Sequence, residues 1–581
     1  MDARIRILGQ GNQRERLTEK GERMGKIRNE LTRREFLSSA AAVGGSFICG
    51  TALMNPVESF AQSAGDRTPI PTFEVTYYAG YPEMIEFWRG ATKDFKEIGL
   101  ELKHTPLESP IAVHKMVNEH NFGTIGEIWW GPSPERLEPN FYLEEMLHSS
   151  KAMLRGRNYG HYINPEYDKI VDAEKAEMNL EKRKELVWKA QEIAAQDHPV
   201  WWLYFAPIIN GYNAKDWEGV VPMTGNGIGG PFAPWTYLKV KSRTGKKIMR
   251  ACYFTDITTL NPFTAHLSPN QQLLRTIYDP FARITPEMKV MPWAAESWKI
   301  VNNVTIDITL RKGMKFHDGK PVTVEDAKFS VDYPKQWQIP LFRHAIDVIQ
   351  SVEIKGENIL RFNLVKPYAP FFAETLTWLV ILPGSQWKEV PQKYGLKNPI
   401  EWENRPCIGS GPFKFSRWRK GEELYLKANK EHFMAPWIDD LIWLAIPSID
   451  GAMGALEKEE IDIIGSRLTP DQADSLKKHP HIKVDVSPSH GLHEARPDIR
   501  KKPFDDREFR RAIHHILNKK TMDSFYGGLG VIPSNTPLIK LLAPWHNPNI
   551  PMVEYDMAKA RQILKDAGYT WDRNGRLCFK T

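Results

Sequence analysis

A domain-like beginning lies in the middle of the chain. Residues 235–245, "WTYLKVKSRTG", form an aromatic ending that runs into a basic connector containing a glycine. Residues 246–263, "KKIMRACYFTDITTLNPF", then read as a new strand followed by a turn. Any fold for this chain must explain why one structural unit ends and another starts at this joint.

Strand-like and helix-like segments alternate on both sides of the joint. From residue 73, "FEVTYYAGY" alternates as a strand does, and "EMIEFWRGATKDFKEIG" after it has helical spacing and a glycine stop. Residues 302–331 predict a strand, an Asp-Gly turn and a helix whose N-cap is Thr323. Residues 503–522 predict a helix with two aspartates at its start. This alternation predicts an α/β fold.

Length, charge and cysteine spacing exclude several classes of protein. The 581 residues suffice for about three or four structural lobes. The net charge is +7, of which residues 1–61 carry three, and so small an excess does not indicate a nucleic-acid partner. Four cysteines at positions 49, 252, 407 and 578 form no CxxC pair, so neither a zinc ribbon, a haem site nor a disulfide framework is predicted. Pairing of Cys252 with Cys407 stays open.

The first 61 residues have the features of an export signal. A basic lead precedes a twin-arginine segment, a modest apolar stretch and a small-x-small cleavage site, at Thr32, Arg33, Arg34, Phe36, Leu37 and then Ser59, Phe60 and Ala61. This arrangement resembles a twin-arginine signal, so we expect export by the twin-arginine machinery, cleavage and a periplasmic location. An uncleaved anchor helix is the alternative. Bulky Phe47 and Ile48 argue against lipidation of Cys49, and either Met1 or Met24 can be the start.

Six segments in order resemble one protein family. They are "LNPF" at 260–263, "MPWAAESWKI" at 291–300, and the segments at 310–330, 408–429, 501–519 and 555–569. Together they resemble the extracytoplasmic solute-binding proteins for peptides, nickel, opines and oligosaccharides, which serve ABC importers. The resemblance implies a two-lobed periplasmic binding protein fold of type II with an extra subdomain.

The order of the segments departs from that family. Residues 165–237 resemble its C-terminal quarter, yet here they precede the part that resembles its beginning. We therefore expect a circular permutant, in which "KVKSRTGKK" at 239–247 joins the family's usual end to its usual start. Gene rearrangement or a domain-swapped dimer would produce the same order.

The expected domains follow from the permuted order. Residues 1–61 form the signal peptide, and residues 206–484 form one lobe with an inserted subdomain at about 293–404. The other lobe combines 62–205 with 485–581.

The resemblance also places seven candidate ligand-binding residues in a cleft between the lobes: Trp129, Trp130, His266, Ser268, His493, Glu494 and Arg496. His266 and Ser268 fall at the family's first ligand-facing loop. Peptide-binding members carry an Asp after the aromatic residue near 129, and here Trp-Trp-Gly-Pro-Ser-Pro lacks it, which weakens a free amino group as the ligand feature. The tryptophans offer flat faces to a sugar, an aromatic group or an aliphatic chain, and Arg496 suits a carboxylate.

Each candidate has a structural alternative. The tryptophans can be ordinary core residues, and the polar strand that holds His493, Glu494 and Arg496 can be a solvated strand end. "GNGIGG" at 225–230 matches a nucleotide-binding pattern, but prolines rather than a helix follow it, so we predict a loop. His490 and His493 project to opposite faces of a strand, so no metal site is predicted.

We expect a monomeric periplasmic solute-binding component of an ABC importer, without catalytic residues, cofactor or metal. Its partners would be a small solute, which is peptide-like, opine-like or an oligosaccharide, and an inner-membrane permease. The contrasting hypothesis is a periplasmic oxidoreductase or another metal- or cofactor-binding protein, since the twin-arginine route often exports cofactor enzymes. A sensing role instead of uptake is equally compatible with the residues.

Overall fold

The computed structural model describes residues 68–580, apart from 231, 254–256, 266–267 and 466. The predictions for the export signal, its cleavage site and Cys49 lie outside the described residues. No helix among the described residues has both the length and the apolar character that a membrane span requires. The described chain has mixed α/β structure, as predicted.

Two large mixed sheets and one smaller sheet organise the chain. Sheet A has six strands in the spatial order Leu102–Leu107, Phe73–Tyr78, Ile125–Trp130, Leu492–Pro497, Trp201–Phe205 and Ile532–Pro533. Its first three strands are parallel, and the 492–497 strand runs antiparallel to both of its neighbours. Sheet A thus takes its strands from two parts of the sequence that lie far apart.

Sheet B has seven strands and lies between those two parts in sequence. Their spatial order is Phe413–Arg419, Glu423–Ala428, Asp440–Ala445, Ile248–Tyr253, Ile463–Ile464, Ile208–Asn213 and Ile482–Ser487. The Ile248–Tyr253 strand, which follows the basic joint, is parallel to both of its neighbours. The strand predicted to start a new unit therefore lies at the centre of this sheet.

Sheet C is antiparallel and falls, in sequence, between two strands of sheet B. Its order is Ala295–Asn302, Thr305–Leu310, Ile359–Leu364 and Ile349–Gly356. Three two-stranded pairs complete the strands: Val290–Pro292 with Ala282–Ile284, Thr570–Trp571 with Leu577–Cys578, and Trp217–Glu218 with Lys241–Ser242.

The helices cover the sheets and end at local sequence signals. Thr323 caps the Val324–Gln336 helix through a capping box with Asp326, which confirms the predicted N-cap. Gly99 ends the first described helix in the left-handed region, also as predicted. The α-helices are Pro82–Ile98, Ser109–Val113, Pro165–Ala176, Leu180–Asp197, Trp235–Lys239, Ser268–Ile277, Val324–Gln336, Arg343–Ile346, Gly384–Trp387, Val390–Tyr394, Ile449–Glu457, Pro470–Leu476, Arg507–Ile516, Thr521–Phe525 and Met557–Asp566. Short π-helical or 3-10 segments are His114–Asn118, Pro134–Leu137, Phe141–Glu145, Ser149–Lys151, Pro262–Thr264, Pro340–Phe342, Phe371–Thr375 and Pro399–Glu401.

Two neighbouring segments carry the described chain between sheets A and B. Residues 206–207 link the Trp201–Phe205 strand to Ile208–Asn213, and residues 488–491 link Ile482–Ser487 to Leu492–Pro497. The two crossings lie side by side, because Ser487 pairs with Ile208 on one side and Leu492 pairs with Phe205 on the other. We call these two segments the hinge.

The "GNGIGG" segment at 225–230 forms turns, as predicted, and packs on the hinge. The Gly225 N–H donates to the Pro488 carbonyl at 2.7 Å. A Cβ on Gly225 would lie 2.4 Å from His490 Nδ1, and the φ of +79° there also favours glycine. Gly225 therefore allows a close approach of this segment to the hinge.

Two buried cysteines of the described chain, Cys252 and Cys407, are thiols. They are not bonded to each other, so the open question of a Cys252–Cys407 bridge is answered in the negative. Burial raises the pKa of both the Cys252 and the Cys407 thiol to about 12. They remain protonated over the physiological pH range.

A buried lysine belongs to a basic cluster beneath sheet A. Lys519 is 4% exposed, and its Nζ lies 2.9 Å from His514 Nε2 and donates to the Ser534 carbonyl at 2.5 Å. His514 in turn lies 3.1 Å from His198, Nδ1 to Nδ1. Burial lowers the pKa of Lys519 to about 7, although the Glu554 carboxylate acts in the opposite direction. Burial also lowers the pKa of His514 well below its usual value.

Because of this cluster, we expect the free energy of unfolding to rise with pH above about pH 7. The unfolded chain holds the Lys519 proton up to about pH 10, whereas the folded chain releases it near pH 7, so the unfolded state binds more protons in between. The free energy of unfolding of the wild type, relative to Lys519→Met, should therefore increase by about 1 kcal/mol per pH unit from pH 7 to 9. Urea unfolding of both proteins at several pH values measures this difference. The contributions of ionisable groups outside the cluster largely cancel, because both proteins contain them. A flat difference would contradict the prediction.

Candidate functional site

Five of the predicted site residues lie on two adjacent strands of sheet A. His493 pairs with Trp129, and Leu492 pairs with Trp130. All six residues of the Leu492–Pro497 strand are buried. Because side chains alternate along a strand, Trp129 and His493 lie on one face of the sheet, and Trp130, Glu494 and Arg496 lie on the other. The structure thus separates the predicted set into two groups.

The second group forms a buried ionic network. The Arg496 Nε donates to both carboxylate oxygens of Glu494, at 2.9 and 3.1 Å. The same carboxylate accepts from the Trp130 indole and from the Tyr159 hydroxyl, each at 3.0 Å. Arg496 Nη1 donates to the Met146 and Arg157 carbonyls at 2.6 and 3.0 Å.

This network shows that one structural alternative for the polar strand, a solvated strand end, is wrong. Glu494 and Arg496 are each 0% exposed, so the strand is not a solvated end. Several hydrogen bonds replace the water that two buried charges lose, and Tyr159 lies against the guanidinium at 4.8 Å. The network stabilises this face of sheet A. A contact of Trp130, Glu494 or Arg496 with a solute stays a prediction.

The other face presents His493 between aromatic rings. Its ring stacks on Tyr204 at 4.4 Å with an interplanar angle of 17°, and Trp129 lies 6.1 Å away. His493 Nδ1 is 3.2 Å from Glu127, which accepts from the Trp88 indole at 2.6 Å. Burial raises the pKa of Glu127 and lowers the pKa of His493, each well away from its usual value. Both shifts disfavour the charged form of each group, so burial opposes an ion pair between Glu127 and His493.

An ion pair joins this face to the region of sheet B. Arg467 follows the Ile463–Ile464 strand of sheet B, and its guanidinium Nη2 donates to the carboxylate of Glu83. Glu83 lies in the first turn of the Pro82–Ile98 helix, which packs on sheet A. Burial alone would lower the pKa of Arg467, but Glu83 outweighs it and raises that pKa above the usual value. The guanidinium stays charged.

Aromatic rings surround this ion pair. The Arg467 guanidinium lies 4.5 Å from the Trp129 ring centroid and 5.7 Å from that of Tyr81. Burial raises the pKa of Tyr526, on which Arg467 and Glu83 act in opposite directions. Arg467, Glu83, Tyr81, Trp129, His493, Tyr204 and Tyr526 form a contiguous group, which we call the cleft cluster.

Several polar atoms of the cleft cluster lack partners. Among the described residues, no hydrogen-bond partner exists for Trp129 Nε1, His493 Nε2, the Tyr204 hydroxyl or Arg467 Nη1, and all four atoms are buried. A buried polar atom without a partner is destabilising by about 1–3 kcal/mol, so a group of them at one place marks a position for a polar guest. Two of the four, the indole and guanidinium N–H groups, can only donate.

Glycines let the backbone approach the Trp129 indole. A Cβ added to Gly491 of the hinge would lie 3.0 Å from Trp129 Nε1, and one added to Gly131 would lie 3.4 Å from the ring. The indole therefore rests against the hinge.

Two predicted site residues, His266 and Ser268, lie close to each other in sequence. His266 lies outside the described residues, and Ser268 is the first residue of the Ser268–Ile277 helix. Their contact with a solute stays a prediction. No group of three or more His, Cys, Asp or Glu side chains in the described part of the chain is arranged to hold a metal ion.

Sequence patterns missed the residues of the cleft cluster that come from elsewhere. Tyr81, Glu83, Tyr204, Arg467 and Tyr526 are scattered over the chain, and Glu83 and Arg467 are 384 residues apart. The only local signal is that Arg467 precedes the Thr469-capped helix at a strand end of sheet B. Such ends are common binding positions, but the signal does not single out this arginine.

Comparisons with known proteins agree on one family. Residues 289–579 match the bacterial extracellular solute-binding proteins, family 5 Middle. The oligopeptide-binding protein AppA of Bacillus subtilis (strain 168) is 28% identical over 312 residues, which cover 52% of this chain and 55% of that protein. The dipeptide-binding protein of Escherichia coli (strain K12) is 27% identical over 303 residues, which cover 48% and 55% of the two chains.

A solved structure of AppA from Bacillus subtilis in complex with a nonapeptide aligns with a TM-score of 0.43 and 23% identity, over 56% of this chain and 65% of that one. The chain spans somewhat over half the length of the curated relatives it matches. The predicted family is confirmed, because the family match covers half of the chain. This protein belongs to the family 5 bacterial extracellular solute-binding proteins.

Proposed function

We propose that this protein is the extracytoplasmic solute-binding component of an ABC importer, which captures a small solute between two lobes and delivers it to an inner-membrane permease. The observation that carries the proposal is the cleft cluster. It draws residues from the regions of both large sheets, beside the hinge, and includes buried polar atoms without partners. Membership of the family and the names of the relatives support the same role.

The arrangement suits capture by closure. A solute that contacts both lobes favours the closed state, since it binds that state more tightly than the open one. Arg467 would contribute from the sheet B lobe, and Trp129 and His493 from the sheet A lobe. We assign residues 62–205 with 485–581 to one lobe and 206–484, with its subdomain at about 293–404, to the other. No chemical step is part of this role, and a monomer in the periplasm, exported by the twin-arginine route, is sufficient for it.

Capture can be tested by thermal shift followed by titration calorimetry against peptides, opine-like acids and oligosaccharides. A solute that binds only the folded form raises the melting temperature with its concentration. Trp129→Ala should weaken the binding of any hit, and Trp571→Ala, remote from the cleft cluster, should leave it unchanged. Absence of any hit, together with visible absorbance of a cofactor, would favour the periplasmic oxidoreductase instead.

We also propose that the fold is circularly permuted. Residues 68–70 lie beside residues 577–579. The Ile70 N–H donates to the Leu577 carbonyl at 2.8 Å, and the Phe579 N–H donates to the Thr68 carbonyl at 3.0 Å. The basic joint continues from one strand pair, Lys241–Ser242 with Trp217–Glu218, into the central Ile248–Tyr253 strand of sheet B. Both features support a single fold whose chain was opened near the contact between residues 68–70 and 577–579 and was rejoined at the basic joint.

A rearranged variant tests the permutation. Residue 580 would be linked to residue 68 by a short Gly-Ser segment, and the chain would be opened between Thr244 and Gly245. We expect a folded monomer that melts within a few degrees of the parent and binds the same solute. A parent that elutes as a dimer, or a variant that fails to fold at all concentrations, would favour the domain-swapped or rearranged alternatives.

A further inference from the structure

We infer that the solute presents a carboxylate to Arg467, and that Glu83 holds this guanidinium when no solute is bound. The inference rests on the proposed solute-binding function and specifies the chemistry of its ligand. It concerns the cleft cluster, where Arg467 contributes the sheet B side and Trp129 the sheet A side.

The free donors of the cleft cluster define what a guest must offer. Arg467 uses Nη2 for Glu83, while its Nη1 and the Trp129 Nε1 are buried and have no partner among the described residues. Both atoms can only donate, so they require acceptor oxygens. The Tyr204 hydroxyl can either donate a hydrogen bond to a guest or accept one from it. It is also buried, and it has no partner in the described chain.

A carboxylate is favoured because the site already binds one. The guanidinium of Arg467 is paired with the carboxylate of Glu83, which lies in the Pro82–Ile98 helix that packs on sheet A. The planar fork of arginine offers a second edge to another carboxylate with the same geometry. Trp129 and Tyr81 lie against the guanidinium and exclude water from it, which strengthens a charged hydrogen bond there.

An amino group has no comparable partner in the cleft cluster. Glu127 is hydrogen-bonded to Trp88 and to His493, burial disfavours its charged form, and Glu83 is engaged by Arg467. A cationic guest would therefore have to displace Arg467 from Glu83 and lie beside its charge. The solute is thus recognised through an anionic end and needs no free amine.

Glu83 should act as an internal competitor and as a latch. Its carboxylate neutralises Arg467 and connects the two lobes when no solute is present. Glu83→Gln should weaken closure of the empty protein and, because it removes a negative charge beside the guest, preserve or increase the affinity for a carboxylate. Arg467→Met should weaken closure as well, but should also lower the affinity for a carboxylate by about tenfold or more.

The latch is tested without any ligand. Small-angle scattering of the empty full chain should show a larger radius of gyration for Glu83→Gln and Arg467→Met than for the wild type. Glu459→Gln, which removes a solvent-exposed ion pair with Lys215, is the matched control and should show no change. Equal dimensions for all four proteins would overturn the latch.

The ligand chemistry is tested with matched probes. Dipeptides, N-acetyl dipeptides and sugar acids would each be compared with their primary amides by thermal shift and calorimetry. We expect binding by the acids, with or without a free amine, and a loss of affinity of about tenfold or more in the amides and in Arg467→Met. Arg419→Met, an exposed arginine, is the control.

The outcomes separate this inference from the proposed function. Binding of acids and amides with equal affinity, or binding that Arg467→Met leaves unchanged, overturns the carboxylate inference and leaves a solute-binding protein. Binding of none of the acids overturns the inference as well. If no solute of any class binds, the proposed function fails, while the scattering result still decides whether the latch exists.

Discussion

Replacing Arg496 with methionine is expected to lower the free energy of unfolding by about 3–5 kcal/mol, the largest effect that we predict for a single substitution. The guanidinium is fully buried and donates to the Glu494 carboxylate and to two backbone carbonyls. Methionine fills much of the same volume but supplies no donors. Glu494 would then be a buried charge without its cation.

Urea unfolding followed by circular dichroism measures this loss. Adding Glu494→Gln to the Arg496→Met background should recover part of it, since the second change removes the stranded charge. Arg419→Met, at an exposed site, should change stability by no more than about 0.5 kcal/mol. A loss below about 1 kcal/mol in Arg496→Met would show that the network does not stabilise sheet A. Unchanged solute affinity in the folded variant would remove Arg496 from the predicted site.

The second large effect is expected for Gly409→Ala, which should lower the free energy of unfolding by about 3 kcal/mol. A Cβ at this position would lie 2.1 Å from the backbone carbonyl oxygen of Ile277. That carbonyl ends the Ser268–Ile277 helix and cannot move freely, because it accepts from the Gly411 N–H at 2.8 Å. Gly409 is itself held, since the His317 N–H donates to its carbonyl.

Gly454→Ala is the matched control with the opposite expected sign. Gly454 lies inside the Ile449–Glu457 helix, and a Cβ there would meet no atom within 4 Å. Alanine has the higher helix propensity, so this variant should be more stable by about 0.5–1 kcal/mol. The same urea titrations test both. A Gly409→Ala protein as stable as the wild type would mean that the 408–412 segment tolerates a shift away from Ile277.

Local sequence signals predicted the parts of the fold that depend on neighbours in the chain. Thr323 and Gly99 bound their helices as expected, because a cap or a left-handed residue acts within one turn. The glycines at 409 and 411 belong to a segment that suggested the family, but the sequence does not show why they are glycines. The reason is the Ile277 carbonyl, more than 100 residues away.

The candidate site was harder to predict, because it too depends on contacts between residues that lie far apart in sequence. Alternation places Trp129 and Trp130 on opposite faces of a strand, yet only the pairing with His493 shows which face reaches the cleft cluster. Glu494 and Arg496 look like surface residues in sequence, and their burial depends on Trp130, Tyr159 and two carbonyls that no local pattern brings together. Arg467 and Glu83 are 384 residues apart in sequence, and their contact depends on the packing of elements that belong to two different sheets.

The hinge limits the kind of motion that this protein can perform. Its two segments are bounded at both ends by paired residues, with Ser487 opposite Ile208 and Leu492 opposite Phe205. Two short connections fixed in this way can bend and twist, but they resist sliding of one sheet along the other, since sliding would break the register of the flanking strand pairs. Relative displacement of the large sheets is therefore reduced to nearly a single angle. A contact that forms across the cleft in only one arrangement of the sheets would therefore act mainly on that angle.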